Sequence, residues 1–485
     1  MYFKNKSDFH ALGEALKKIR ISNLTNPAIL SQRLLYPIRL HPIFMSDYKF
    51  MISKNIFISL FRSIALFLLF FMYAIFNLFT SLFRFNQNES FINSADSLFI
   101  SHHVNDQVLR NDFYFNKWAN SFLENGQKVH FHYFKAGSNL ELPNPISCES
   151  ITSSFFSHNL KFYDELKIFN SLFFASIRFL KYFVLAKNQL EKFIYLELFS
   201  KTFSKSSFVN LRFYYELLNE LNRENYKRIF YTMEGHAWES LLLLASQKIN
   251  KEVHTYGYQH SAVFEDQIAL LTPIPSLTPT SILTSGEGNN NFFHEYKKFG
   301  TSIITVGTSR TNEIKKSNYQ TKNICLVVPE GIDSEIELMS NFVVECSALN
   351  KNISFLFQFH PASKNSKIVK NLSKRIQKSQ LNISISETGI DESIKQASYV
   401  IYRGSTAVVK CIMSGLIPLY LDVDNSYNID PIYWVKKTYI NSSESLEMII
   451  LNSHPSTDLI NLENVQLKCS TYFQPFNMKA LNKLQ

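Results

Sequence analysis

Two sets of residues in this chain have the types and spacing for chemistry. In the first half, Met233-Glu234-Gly235-His236 and Gln259-His260-Ser261 each follow a short apolar run, RIFYT (228–232) and VHTYGY (253–258). A carboxylate or an imidazole so placed can take a proton from a hydroxyl. In the second half, Glu330-Gly331 follows NICLVVP, His360-Pro361 closes ISFLFQFHP, and Arg403-Gly404-Ser405-Thr406 follows ASYVIY. Small hydroxyl residues that open a helix after a strand present N–H and O–H donors to a phosphate. A proton acceptor paired with a cradle for a departing phosphate suits transfer of a group from an activated nucleotide.

Those residues need elements to hold them. The apolar runs read as buried strands, most of them followed by a helix, while VHTYGY leads into the proline-rich loop 265–279; the alternation builds a parallel sheet with helices on both faces. In the first half, strands are also expected over 97–101, 129–134, 281–286 and 303–307, with helices over 114–125, most of 155–225, 237–249 and 287–300. In the second half, strands at 323–329, 353–361, 383–386 and on either side of the 403–406 turn alternate with helices over 334–349 and 364–378. The fold class is therefore α/β: two doubly wound Rossmann-like domains facing a cleft, 91–315 and 316–485, joined near the polar KKSNYQTK (315–322). A membrane-associated helical region, 1–90, precedes them. In open α/β sheets ligands sit beyond the carboxyl ends of the strands, and all the residues above fall there.

The chain has 485 residues, 46% of them apolar, enough for two or three domains with sizeable cores. Its net charge of +10 is uneven: residues 1–90 hold eleven Lys and Arg against four acids. Beside an apolar segment, that excess suits an anionic membrane surface better than nucleic acid. The segment is 63–83, SIALFLLFFMYAIFNLFTSLF, free of charge between Arg62 and Arg84. It meets the ~20 residues a span requires and lies too deep in the chain for a cleaved signal peptide. Lys49, Lys54 and Arg62 precede it and only Arg84 follows closely, so a simple span would send the nucleotide-using part outside. The expectation is a helix that lies on or dips into the inner leaflet, paired with the Phe-rich 169–186; a buried core helix is the alternative. Five scattered cysteines without a C-x-x-C pair point to a reducing compartment and away from disulfides or zinc. No P-loop, H-E-x-x-H or G-x-G-x-x-G is present, and Asp422-Val423-Asp424 reads as a loop rather than a metal site. No cofactor is expected.

Met-Glu-Gly at 233–235, His360-Pro361 and Ser405-Thr406 are similar, in type and order, to three short motifs of bacterial sialyltransferases and polysialyltransferases: acidic-acidic-Gly, His-Pro and Ser-Ser/Thr. YTMEGHAWE (231–239), GYQHS (257–261) and TVGTSR (305–310) look like strings from bacterial surface-carbohydrate biosynthesis proteins regarded as glycosyltransferases. The resemblance covers 98–424 and implies the fold known as GT-B. From the sialyltransferase group it implies a CMP-linked donor of a sialic-acid-like or Kdo-like sugar and no obligatory metal. It implies that the motif acid, Glu234, is the base, and that His360 and the hydroxyls of Ser405 and Thr406 bind the nucleotide phosphate. Met233 stands where that group has its first acid, and Thr406 where it has its second Ser.

The residues themselves leave alternatives open. Glu234 or His260 is the base, and His260 is otherwise a turn histidine bonded to backbone. Ser405 and Thr406 bind phosphate or simply cap their helix. Arg403 contacts phosphate or pairs with a surface acid. His102-His103 line the acceptor side or form a surface pair. The expectation is a metal-independent glycosyltransferase, with Glu330, Gly331, His360, Pro361, Arg403, Gly404, Ser405 and Thr406 binding the nucleotide-sugar donor. Its acceptor is a surface polysaccharide of the capsule or O-antigen kind, or a lipid-linked glycan, at the cytoplasmic face of the inner membrane. A non-hydrolysing nucleotide-sugar 2-epimerase and a non-catalytic glycan-assembly scaffold are the competing readings.

Overall fold

A computed structural model of the chain describes residues 6–37, 56–83, 95–103, 112–116, 118–135, 150–156, 160–249, 252–265, 267–309, 323–360, 363, 366–379, 381–423, 429–452 and 455–484. The expected linker at 315–322, Pro361 and Asp424 lie outside the described residues, so the D-x-D stays a sequence reading.

Among the described residues, thirteen strands form two sheets, parallel throughout. The first holds β1 (Ser97–His103), β2 (Val129–Lys135), β3 (Ile151–Phe155), β4 (Arg228–Thr232), β5 (His254–Gln259), β6 (Ser281–Thr284) and β7 (Ser302–Thr305), in the order β3-β2-β1-β4-β5-β6-β7. The second holds β8 (Ile324–Val328), β9 (Ser354–Phe357), β10 (Ile383–Ile385), β11 (Tyr399–Tyr402), β12 (Ile417–Leu421) and β13 (Thr438–Ile440), in the order β10-β9-β8-β11-β12-β13. Helices cover both faces, so the central strands are buried on both sides. Every residue of β4 is buried, as its near-continuous RIFYT run requires. Each sheet reverses its winding beside its own first strand, between β1 and β4 and between β8 and β11. These are two Rossmann-like domains, as expected, and the reversals are where such sheets open a ligand crevice.

Two edge strands, β3 and β13, were not expected. ITSSF and TYI carry too few apolar residues to announce a strand, and each pairs on one side only. The 287–300 segment is a 3₁₀ helix, Glu287–Phe299, closed by left-handed Gly300.

Neither terminus keeps to the expected boundaries. The helix Lys6–Ile21 buries Phe9, Leu12 and Leu16 in one core with Ile168, Leu172, Phe193 and Leu198, so the N-terminal region is packed onto the first domain. At the other end, the chain leaves the second sheet after Tyr472 and crosses back. Gln474 N donates to Ser285 O (2.9 Å), Thr308 N to Gln474 O (2.8 Å) and Asn477 N to Val306 O (2.8 Å). Leu481 is then buried in the first domain's core with Phe99, Trp118 and Phe230. This crossing needs Gly307, whose φ is +74° and where a Cβ would collide with the Pro475 carbonyl oxygen.

Gly307→Ala should therefore destabilise the protein by about 3 kcal/mol, from left-handed strain plus the backbone clash. Gly126→Ala is the control: its φ is +72° but nothing lies within 4 Å of the added carbon, and it should cost only about 1 kcal/mol. Thermal unfolding of the two variants checks this; equal melting temperatures would show that the crossing is not tight.

Candidate active site

β4 ends at Thr232 in register with Tyr258 of β5, so the residues that follow the two strands emerge side by side. The chain then turns sharply at Gly235 (φ +87°) into the helix Ala237–Lys248. Glu239, in that helix's first turn, reaches back: its carboxylate accepts from the N–H groups of Glu234 (2.9 Å), Gly235 (3.0 Å) and His236 (3.0 Å). Gln267 Nε2 donates to the Glu234 carbonyl at 3.0 Å. The loop is thereby fixed from both sides.

Held this way, the Glu234 carboxylate lies between two imidazoles. His236 Nε2 is 2.9 Å from Oε2, and His260 Nε2 is 3.1 Å from Oε1. Glu234 and His236 are about one-third exposed, at 33% and 31%, whereas His260 is buried at 4%. Tyr114 packs edge-on against His260 (4.7 Å between ring centroids), and its N–H donates to buried Asp112. His102, after the bulk of β1, stacks on Phe134 and meets the edge of Trp238.

Burial alone would raise the Glu234 carboxyl, but hydrogen bonds from His236 and His260 outweigh it and hold it well below the usual range. Burial likewise works against a charged His236, and the bond and charge of Glu234 overcome that and raise its pKa. Arg33, from the N-terminal region, opposes that rise. Burial pushes Glu239 up to about 7 against its three N–H donors and His236, and pushes His102 down to about 4 against the pull of Glu234. The result is a carboxylate that stays ionised and an adjacent imidazole that holds its proton firmly.

In the second domain, the ends of β8, β9 and β11 converge. A Cβ on Gly331 would sit 3.1 Å from His360 Nδ1, and one on Gly404 would meet the Glu330 carboxylate, so both side chains lie close over the backbone of these two glycines. His360 is exposed, as are Asp333 and Ser334 at the start of the helix after β8. Ser405 and Thr406 are half-buried ahead of the helix Ala407–Met413, and the Thr406 hydroxyl makes no capping bond. Thr406 therefore does not cap its helix through the side chain.

Arg403 is a correction. It is 2% exposed, its Nε donates to Glu335 Oε2 at 2.8 Å and its Nη1 to the Leu421 carbonyl at 2.8 Å. It is a buried strut between β11, β12 and the helix Asp333–Leu349, and does not face a phosphate. Glu335, four positions before Met339 in an otherwise ordinary helix, gave no sign of this partnership.

The two halves meet at this level. Ala262, two residues after His260, belongs to the core cluster of the second domain with Val328, Tyr402 and Val408. The Gln259–Ala262 segment therefore abuts the winding reversal of the second sheet. His236 stands outside the residues the sequence assigns a role, although its offset of two from Glu234 in a turn is a usable signal. His102 and His103 do not form a surface pair: His103 is 4% exposed and His102 half-buried.

Elsewhere, buried His130, His132 and Glu220 offer ligand atoms within 4.8 Å of one another, the spacing of a metal site. Most of these atoms are already engaged: His132 Nδ1 with Glu220 (2.7 Å), His130 with the hydroxyls of Thr152 and Ser154, and Glu220 with the hydroxyl of Tyr226, while His132 Nε2 lies 3.7 Å from Glu216. Burial disfavours charge on both partners, yet Glu220 and Glu216 raise His132 to about 9, and His132 lowers Glu220 to about 2. This is an internal ion pair.

No family model matches the chain, and no curated protein matches it. Solved structures similar to it include TarM, 11% identical over 57% of each chain with a TM-score of 0.34, so that this chain spans little more than half of TarM's length. HepE of Anabaena, solved with UDP and glucose, is 9% identical over 80% of this chain and 98% of its own, with a TM-score of 0.43. CalG4, the calicheamicin glycosyltransferase, is 8% identical over 81% and 98%, with a TM-score of 0.46.

Proposed function

We propose that the protein is a glycosyltransferase that moves a sugar from a nucleotide sugar to a hydroxyl of a surface-polysaccharide or lipid-linked glycan acceptor at the inner face of a membrane. The observation that carries this is the Glu234 carboxylate bridging His236 and His260 beside the second domain's strand ends. In the reaction the acceptor oxygen bonds to the anomeric carbon, the bond from that carbon to the nucleotide phosphate breaks, and the electron pair leaves with the phosphate. The hydroxyl proton passes to His236 in its neutral form, and Glu234 stabilises the imidazolium that results. Glu234 is thus the positioning carboxylate of the pair rather than the base by itself, since a carboxyl held so far below its usual range is a weak proton acceptor. His260 fixes its second oxygen. On the donor side, His360, the hydroxyls of Ser405 and Thr406 and the N–H groups around them meet the phosphate, while Glu330, lying over Gly404, suits the ribose hydroxyls.

Three outcomes follow from this arrangement. Glu234→Gln should lower kcat by about 10²-fold or more with nucleotide affinity unchanged, measured by initial rates and calorimetry; unaltered kcat would remove the dyad from the mechanism. His236 keeps its proton up to a pKa above 6.5, so the rate should rise as pH climbs through that value, with the acid limb of kcat lying above pH 6.5 and moving down in Glu234→Gln. A limb in the carboxylate range would return the base to Glu234. His360→Ala should weaken nucleotide binding about tenfold or more, read in a thermal-shift screen of CMP, UDP and GDP, in which at least one nucleotide raises the wild-type melting temperature. No response to any of them would count against a donor site.

A further inference from the structure

The helix Ile56–Ser81 is packed inside out. The residues it buries are Ser59, Ser63, Ala74 and Ser81, four of its five Ala and Ser residues, with Phe67 and Phe71 wedged partly into the body against Phe199 and Phe203. Its large side chains face outward: Leu69 is 63% exposed, Met72 63% and Phe76 62%. Helices of water-soluble proteins do the reverse, because large apolar groups gain most from leaving water. A helix in lipid uses small residues for close approach to its neighbour and turns its large ones to the acyl chains. Its polar groups behave accordingly: Asn77 Nδ2 donates to Tyr73 O, Thr80 Oγ1 to Asn77 O and Ser81 Oγ to Leu78 O, each satisfied on the helix's own carbonyls without water.

A second helix extends the same face. Phe162–Leu185 lies alongside, joined through Phe71 to Phe169 (5.5 Å) and Phe173 (6.4 Å), and exposes Phe174 at 68%, Val184 at 76% and Leu185 at 62%. At 26 and 24 residues the two run about 39 and 36 Å at 1.5 Å per residue. Arg178, Lys181 and Lys187 are exposed toward one end of the second helix. Arg62 is tied back to Glu197 of the body at 3.8 Å, which holds the start of the first helix against the protein rather than across a bilayer.

We infer that this two-helix face is a monotopic anchor that inserts into one leaflet of a membrane with anionic headgroups. The face leads to the candidate site: Ala237, adjacent to His236, belongs to the same core cluster that Phe67 and Phe71 pack against. A membrane-borne acceptor is thus delivered to His236 by the surface that holds the enzyme there. That delivery rests on the glycosyltransferase reading; the anchor does not.

The test is flotation of the full chain with phosphatidylcholine vesicles, with and without phosphatidylglycerol. Wild type should float with the anionic vesicles and severalfold less with neutral ones. Leu69→Glu combined with Phe76→Glu places two charges where no body packing is disturbed, and should cut the floated fraction at least tenfold. The nucleotide thermal shift of that variant should stay at the wild-type value, so loss of the anchor and failure of the donor site remain separate results. Wild type that stays unbound to anionic vesicles, or a variant that floats as well as wild type, would overturn the anchor. So would a wild-type dimer in light scattering that the two charges dissociate, since the face would then belong to a second copy.

Discussion

One buried carboxylate, Glu239, decides where the reactive loop lies. The first N–H groups of a helix have no partner inside it, and at the start of Ala237–Lys248 they point into a site that must also be shaped for a substrate. Glu239 takes up three N–H groups ahead of and at that start, which leaves the Glu234 side chain free to turn toward the histidines. The arrangement is costly, for burial brings Glu239 to about 7, yet it lets a five-residue strand place an acid within 3.1 Å of two imidazoles. Everything proposed about proton transfer follows from that placement.

The second constraint is the crossing of the chain's end. Parallel sheets joined at one point could take many relative positions. Here the segment after Tyr472 lies across the first domain, with glycines at 286 and 307 where its backbone passes, and Phe292 packs against Tyr433 and Tyr472 from the same side. Together with Ala262, these contacts hold the two winding reversals toward one another. The N-terminal helices add a third layer on the first domain, and Ile56–Ser81 turns Leu69, Met72 and Phe76 outward.

Most of the fold was legible because buried parallel strands are short, apolar and bounded by turn residues: RIFYT, VHTYGY and ASYVIY announced β4, β5 and β11. Edge strands are half-solvated, so ITSSF and TYI carried no such signal. The site was legible as positions but less so as roles. Strand ends marked Glu234, His260, His360 and Ser405-Thr406, because sheet topology puts ligands there. What each side chain does depends on partners far along the chain. Arg403 sits at a strand end like the others, but Glu335, 68 positions earlier, holds it inside. His236 drew no attention until the Glu239 bonds folded the turn that aims it at Glu234. Residues 63–83 showed their hydrophobicity at once, whereas the inverted packing of the helix, small residues inward, needed its neighbours in place.

The central claim is that Glu234 binds two imidazoles and keeps His236 protonated beyond the range of an ordinary histidine. Ring ¹⁵N chemical shifts of selectively labelled histidine, followed across neutral pH in wild type and in Glu234→Gln, measure this directly. A resonance assigned to His236 that remains imidazolium above pH 6.5 in wild type, and titrates lower once the carboxylate is gone, is what the structure requires. A His236 ring that titrates at or below the usual value, indifferent to Glu234, would contradict it.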